Sequence, residues 1–297
     1  MITPELEAVR ALIRENRAAE LQPDMATRRN EMDQFATVFP MPAGVTTEDV
    51  EVAGRPARWY RPDSGDPERV ALYLHGGAYV SGSLDSHRET CARLALESGA
   101  NVLALDYRLA PEHPLPAAIE DASAAWAWLI GDGGFRGKRA VVAGDSAGGG
   151  LAMATLLAVR DAGAELPAAA VLLSPWADVA CRQPSYTERA ELEPMLQLDF
   201  LRNDAARYVG DADLLDVRAN PIDADLSGLP PVLVLVGTDE ILYDDSIVLH
   251  ERLVAAGVDA ELIIGEDMFH VWPAFPMLPE AHEAMRAIAS FVAKYTS

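Results

Sequence analysis

Apolar residues recur at every third or fourth position at the start of the chain, as Leu6, Val9, Leu12 and Ile13 within 4–20 and, past Pro23, as Met25, Met32 and Phe35 within 24–37. That spacing predicts two amphipathic helices. Pro40, Pro42 and Gly44 break the pattern, and two short segments, 47–52 and 57–61, then flank Ala53-Gly54. A turn at that pair predicts an antiparallel edge. From residue 70 the texture changes. Unbroken apolar runs of strand length at 70–75, 101–106, 139–144, 169–174, 231–237 and 259–264 alternate with helical patterns at 86–98, 116–130, 147–162, 244–256 and 280–294. Strands without polar alternation are buried on both faces, and their alternation with helices predicts βαβ units. The expected fold class is α/β, with a mostly parallel sheet of about eight strands flanked by helices. The gap at 175–229 holds Pro184, Pro194 and Pro221 and a helical stretch near 199–209, too much for one crossover. It predicts an insertion over the carboxyl edge of the sheet.

Chemistry concentrates at the ends of the predicted strands. Gly144-Asp145-Ser146-Ala147-Gly148 follows the apolar run 140–143 and opens a helical one. A sharp strand-to-helix turn would lift the Ser146 oxygen above the sheet, and the helix N-terminus would present free N–H groups to a developing oxyanion. His75-Gly76-Gly77-Ala78 follows the strand at 70–74, where two glycines let backbone N–H groups turn toward an ester oxygen. The amides of Gly76, Gly77 and Ala147 are the expected oxyanion hole. His75 is expected to brace that loop.

A serine hydroxyl is a weak nucleophile and needs a base, which the serine–acid–histidine chain order places downstream of Ser146. His250 and His282 fall within helical patterns and read as surface residues, whereas His270 follows the strand at 260–264 through a short loop. His270 is the expected base. The acid should close an earlier strand. The run 232–237 leads directly into Thr238-Asp239-Glu240, and Asp239 is the expected orienting carboxylate, with Glu240, Asp244 and Asp245 as competing neighbours.

Composition narrows the partners. With 46 acidic and 24 basic residues the formal charge is −22, so phosphate-rich partners and anionic membranes would be repelled. The basic pairs Arg28-Arg29 and Lys138-Arg139 are too short and isolated to counter it, and no nucleic-acid or membrane partner is expected. Two distant cysteines, Cys91 and Cys181, suggest neither a disulfide framework nor a zinc site. No cofactor and no metal are expected. The N-terminal stretch lacks a basic and apolar leader pattern, from which a cytoplasmic location is expected.

Together with Asp106-Tyr107-Arg108-Leu109-Ala110-Pro111-Glu112-His113-Pro114 and Ser174-Pro175-Trp176, these motifs resemble the hormone-sensitive-lipase-like, or bacterial family IV, carboxylesterases of the α/β-hydrolase superfamily, over residues 40–295. Overall texture is similar to the acetyl-hydrolase and monoterpene lactone hydrolase branch. The resemblance implies an N-terminal helical cap at 1–45, a catalytic domain at 46–297 and a cap-contributing insertion near 184–220. It also implies serine esterase activity on short- to medium-chain carboxylic esters, with a homodimer through an edge strand or the last helix. Trp176, Met25, Met32 and Phe35 are candidate pocket walls. Two departures stand out: Ala78 replaces a fourth glycine, and Val271-Trp272 follows the histidine where many members have Gly-Phe. A lactone hydrolase would use the same triad. A non-catalytic ligand-binding relative would be expected to lack one triad member, and candidates for all three are present.

Overall fold

The protein is described as a computed structural model covering residues 3–19 and 24–297. Helices α1 (Pro4–Ala19) and α2 (Met25–Ala36) come first, as the spacing predicts; Pro23, the expected break, lies outside the described residues. Asp24 caps α2 by accepting the Thr27 N–H at 3.0 Å, which satisfies one of the free first-turn donors.

Strands β1 (Val45–Val52) and β2 (Arg55–Pro62) form the predicted hairpin, turned by Ala53 and Gly54 at positive φ. Then follow β3 (Asp66–Leu74), α3 (Arg88–Ser98), β4 (Ala100–Leu105), α4 (Ala117–Ile130), β5 (Ala140–Asp145), α5 (Ala147–Asp161) and β6 (Ala169–Leu173). The insertion carries α6 (Ser185–Glu188) and α7 (Leu198–Val209), and the chain ends with β7 (Val232–Gly237), α8 (Tyr243–Ala255), β8 (Ala260–Gly265) and α9 (Pro279–Tyr295). Among the described residues eight strands join one sheet in the order β1-β2-β4-β3-β5-β6-β7-β8, in which β2 alone runs against the others. β3 starts earlier than its apolar run. Its polar first residues join β4 across a register shift between Asp66 and Val70, so no hydrophobic pattern marks them.

Alternate side chains of the central strands feed two cores. Val70, Leu72 and Leu74 of β3 pack with α4 and α5, while Ala71 and Tyr73 face α3 and α9. Helix α1 belongs to the second layer, burying Leu6, Val9 and Ile13 with Phe269, Trp272 and Phe275. This seats the N-terminal helices over the carboxyl ends of the strands, where the chemistry-bearing loops emerge. Among the described residues no helix is long and apolar enough to cross a membrane.

Candidate active site

Ser146 sits where β5 turns into α5, with φ 53° and ψ −122°. A side chain in that region is strained and persists only where its surroundings over-determine it. Here they do. The Ser146 N–H donates to Leu173 O at 2.8 Å, and its carbonyl accepts the N–H groups of Gly149, Gly150 and Trp176 at 3.0, 3.1 and 2.9 Å. Gly148 allows the turn to press onto β3, since a Cβ there would overlap the Leu74 carbonyl oxygen. The serine is buried but lines a cavity of about 750 Å³ that His270 also lines.

His270 leaves the loop after β8, and its Nδ1 lies 2.7 Å from Glu240 Oε2. This corrects the expected acid. Asp239 turns the other way and pairs with Arg10 of α1 at 2.5 Å, whereas the next residue, with one methylene more, points under the imidazole. Glu240 Oε1 is held by the Gly237 N–H at 2.7 Å and the Ser174 hydroxyl at 2.8 Å, so the carboxylate is fixed at both oxygens. Because a carboxylate oxygen accepts, Nδ1 carries the ring proton and Nε2 is left for the serine side. Burial alone would lower the His270 pKa, but the Glu240 bond and the charges of Glu240, Glu193 and Asp145 outweigh it and raise it above 6.5.

The oxyanion loop also departs from expectation. Gly76 does not offer its amide to the cavity: that N–H donates to Asp145 Oδ1 at 3.1 Å. Gly77 and Ala78 line the cavity instead, and among the described residues no protein acceptor takes their N–H groups. Gly77 has φ 118°, which a side chain would not tolerate, and its carbonyl closes the loop by accepting from Val80 and Ser81. Ala147, the third expected donor, opens α5, where a first-turn N–H has no intrahelical partner.

Beneath this loop lies a polar cluster that sequence reasoning missed. Asp145 accepts from the Tyr73 hydroxyl at 2.7 Å and sits 3.2 Å from His87 Nε2. Burial would raise its pKa, yet the neighbouring His87 ring and the Tyr73 bond hold it below the usual aspartate value. His75 stacks on Tyr107 at 4.2 Å and bonds the Gly76 carbonyl through Nδ1 at 2.8 Å; burial and His87 push its pKa down to about 3. It is therefore a neutral brace. Glu193, from the insertion, was missed too: it accepts the Ile241 N–H at 3.2 Å, and burial pushes it up to about 7.

Met25, Met32 and Phe35 line the cavity, as do Phe39 and Phe275, which form an aromatic cluster with Phe35 at centroid distances of 5.5–6.4 Å. Trp176 is fully buried in the core and is not among the lining residues. His250 and His282 lie on α8 and α9, outside the cavity lining.

Residues 71–274 match the family model described as alpha/beta hydrolase fold. An acetyl-hydrolase of Streptomyces hygroscopicus is 44% identical, over 98% of this chain and 97% of that protein. A crystal structure of an esterase from the bacterial hormone-sensitive lipase family superposes with a TM-score of 0.96 at 42% identity, covering 99% of each chain. The crystal structure of EstE5 soaked with p-nitrophenyl butyrate gives a TM-score of 0.93 at 42% identity over 99% of each chain.

Proposed function

The chain belongs to the bacterial hormone-sensitive-lipase family of α/β hydrolases and is a serine carboxylesterase, and from that premise we propose that Ser146, His270 and Glu240 are its catalytic triad. The observation that carries the assignment is the doubly anchored Glu240 on His270 Nδ1, in a cavity that Ser146 shares. His270 Nε2 takes the Ser146 proton as the oxygen attacks the ester carbonyl, and Glu240 stabilises the imidazolium. The N–H groups of Gly77, Ala78 and Ala147 receive the oxyanion. His270 then protonates the departing alcohol, and water releases the acyl group by the same steps in reverse order of partners. The cycle calls for no cofactor.

The preferred substrates in this reading are short- to medium-chain carboxylic esters, supported by the apolar wall of Met25, Met32 and Phe35 and by the ester soaked into EstE5. Residues 1–45 act as the cap that walls the cavity and excludes water, aided by the insertion at 184–220. The enzyme works in the cytoplasm in this proposal, in keeping with two buried free thiols, and forms a homodimer through the edge strand β8 or α9. The test is turnover of p-nitrophenyl butyrate: Ser146→Ala is expected to abolish it, and retained activity would sink the assignment.

A further inference from the structure

We propose that Arg10 is a positioning residue for the acid and base loops, an inference that rests on the Ser146–His270–Glu240 reading. Its guanidinium reaches from α1 to two loops at once. Nη2 donates to Asp239 Oδ2 at 2.5 Å and to the Asp267 carbonyl. Asp239 immediately precedes Glu240, and Asp267 stands three residues before His270. One nitrogen with two N–H bonds thus spans the loop after β7 and the loop after β8, at a reach that the shorter side chain of lysine does not match.

The surroundings argue for a bolt and against a casual surface pair. Arg10 and Asp239 side chains are only 8% and 12% exposed, and the residues flanking Arg10 on the same helix face, Leu6, Val9 and Ile13, are buried against the apolar layer that holds Phe269. Seating α1 therefore carries the guanidinium to a fixed depth. The two loops have further stitches of their own. The Asp239 N–H donates to Met268 O at 2.9 Å, and the Asp267 N–H donates to Thr238 Oγ1 at 2.9 Å. Asp267 itself has φ 59°, an unfavoured conformation for a side-chain-bearing residue that its neighbours must maintain. Arg10 holds the carbonyl of that residue. Through it, the position of a cap helix sets the approach of Glu240 to His270.

The same contacts explain why Asp239 is not the acid: its carboxylate is committed to the cap. Thr238 Oγ1 adds a bond to it at 3.2 Å on the side away from Arg10.

The experiment compares the wild type, Arg10→Met, Arg10→Lys, Asp239→Asn and the double variant Arg10→Met/Asp239→Asn on p-nitrophenyl butyrate across pH, with Tm recorded for each. Loss of the bridge is expected to lower kcat about 10- to 100-fold, as misplacement of about 1 Å does, while KM moves less than about threefold. The acid-limb midpoint should fall toward 6.5 as the Glu240–His270 contact loosens. Arg10→Lys should recover less than half of the lost activity, because it keeps the charge on a shorter side chain that does not reach both loops. The double variant leaves no unpaired buried charge, so it should regain Tm without regaining kcat. Folded variants with wild-type kcat and midpoint but lowered Tm would reduce Arg10 to a structural anchor and overturn the inference. Ser146→Ala, titrated for its p-nitrophenol burst in parallel, separates the two levels: a burst there sinks the triad reading, whereas its absence alongside unchanged Arg10→Met kinetics sinks only the role of Arg10.

Discussion

The Ser174 hydroxyl donates to Glu240 Oε1 at 2.8 Å while accepting the Val271 N–H at 3.1 Å. One small side chain at the end of β6 thereby ties Glu240 to the residue that follows His270. Ser174→Ala should leave one carboxylate oxygen with a single donor and free the loop at Val271. We expect kcat to fall about tenfold to a hundredfold with KM little changed, and stability to drop by about 1–3 kcal/mol for the unsatisfied buried partners. Steady-state kinetics and a urea melt would check both, and unchanged kcat would refute the tie.

Replacing Glu240, the acid of the proposed triad, should be far more severe. Glu240→Gln keeps the shape of the side chain but can present an amide N–H to His270, favouring the wrong imidazole tautomer. By analogy with acid-to-amide changes in other triads, kcat should fall by about 10⁴. Asp239→Asn keeps the Glu240 carboxylate and acts only through the bridge to Arg10, so its loss should be at least about tenfold smaller than that of Glu240→Gln. Equal losses would return Asp239 to the role of acid.

The pH dependence follows from the raised His270 pKa. The base works only when neutral, so a raised pKa keeps it protonated, and inactive, to a higher pH. The rise of kcat/KM with pH should have its midpoint above 6.5, and in Glu240→Gln the midpoint should fall because burial, which lowers the pKa, loses its main opponent. For stability, the linkage runs the same way. The His270–Glu240 contribution is full below 6.5 and is lost as pH rises through the folded-state pKa. A midpoint below 6.5 in the wild type would count against Glu240 as the partner.

Asp145 offers a test of the oxyanion loop that keeps the side chains of Ser146, His270 and Glu240 in place. Its carboxylate collects the Tyr73 hydroxyl, the Gly76 N–H and the His87 ring, so Asp145→Ala strands all three in the interior. The expected cost is about 3 kcal/mol, in the range seen when one partner of a buried polar set is removed. Since its pKa is lowered in the fold, the wild-type contribution is present above the ordinary value of 3.8 and fades as pH falls through the lower folded one. A drop in kcat beyond the loss of folded enzyme would show that the loop had moved Gly77 and Ala78.

Much of this arrangement is legible in the sequence because the central strands are fully buried. Uninterrupted apolar runs mark β5, β6 and β7, and the residue at which each run stops marks a loop that can carry chemistry, as at Ser146 after β5 and the Asp239–Glu240 pair after β7. What periodicity does not encode is side-chain direction once the strand has ended. Asp239 and Glu240 are adjacent carboxylates, and partners distant in sequence, Arg10 for the first and Ser174 for the second, hold them in different directions. Gly76 misled for the same reason: its N–H was expected to face the ester, but Asp145, brought alongside by the pairing of β3 with β5, takes it first. Ser174 and Glu193 carry no local signal for their contacts with Glu240 and Ile241, which lie far along the chain.

Phe35 should govern how long an acyl chain the cavity accepts. It lines the cavity from α2, is partly buried, and makes an edge contact with Phe39 at 5.5 Å and a tilted one with Phe275 at 6.4 Å. Phe35→Ala removes one ring from the aromatic wall without opening the deep core, so the stability cost should stay near 1–2 kcal/mol, below the 3–5 typical of buried Phe→Ala changes. Space for added methylenes is worth about 1–3 kcal/mol in an apolar pocket. The ratio of kcat/KM for p-nitrophenyl octanoate over butyrate should therefore rise about tenfold or more, and Phe35→Trp should lower it. If a C2 to C12 series gives the same profile in both variants as in the wild type, the acyl chain lies elsewhere in the cavity and the cap helix does not set its length.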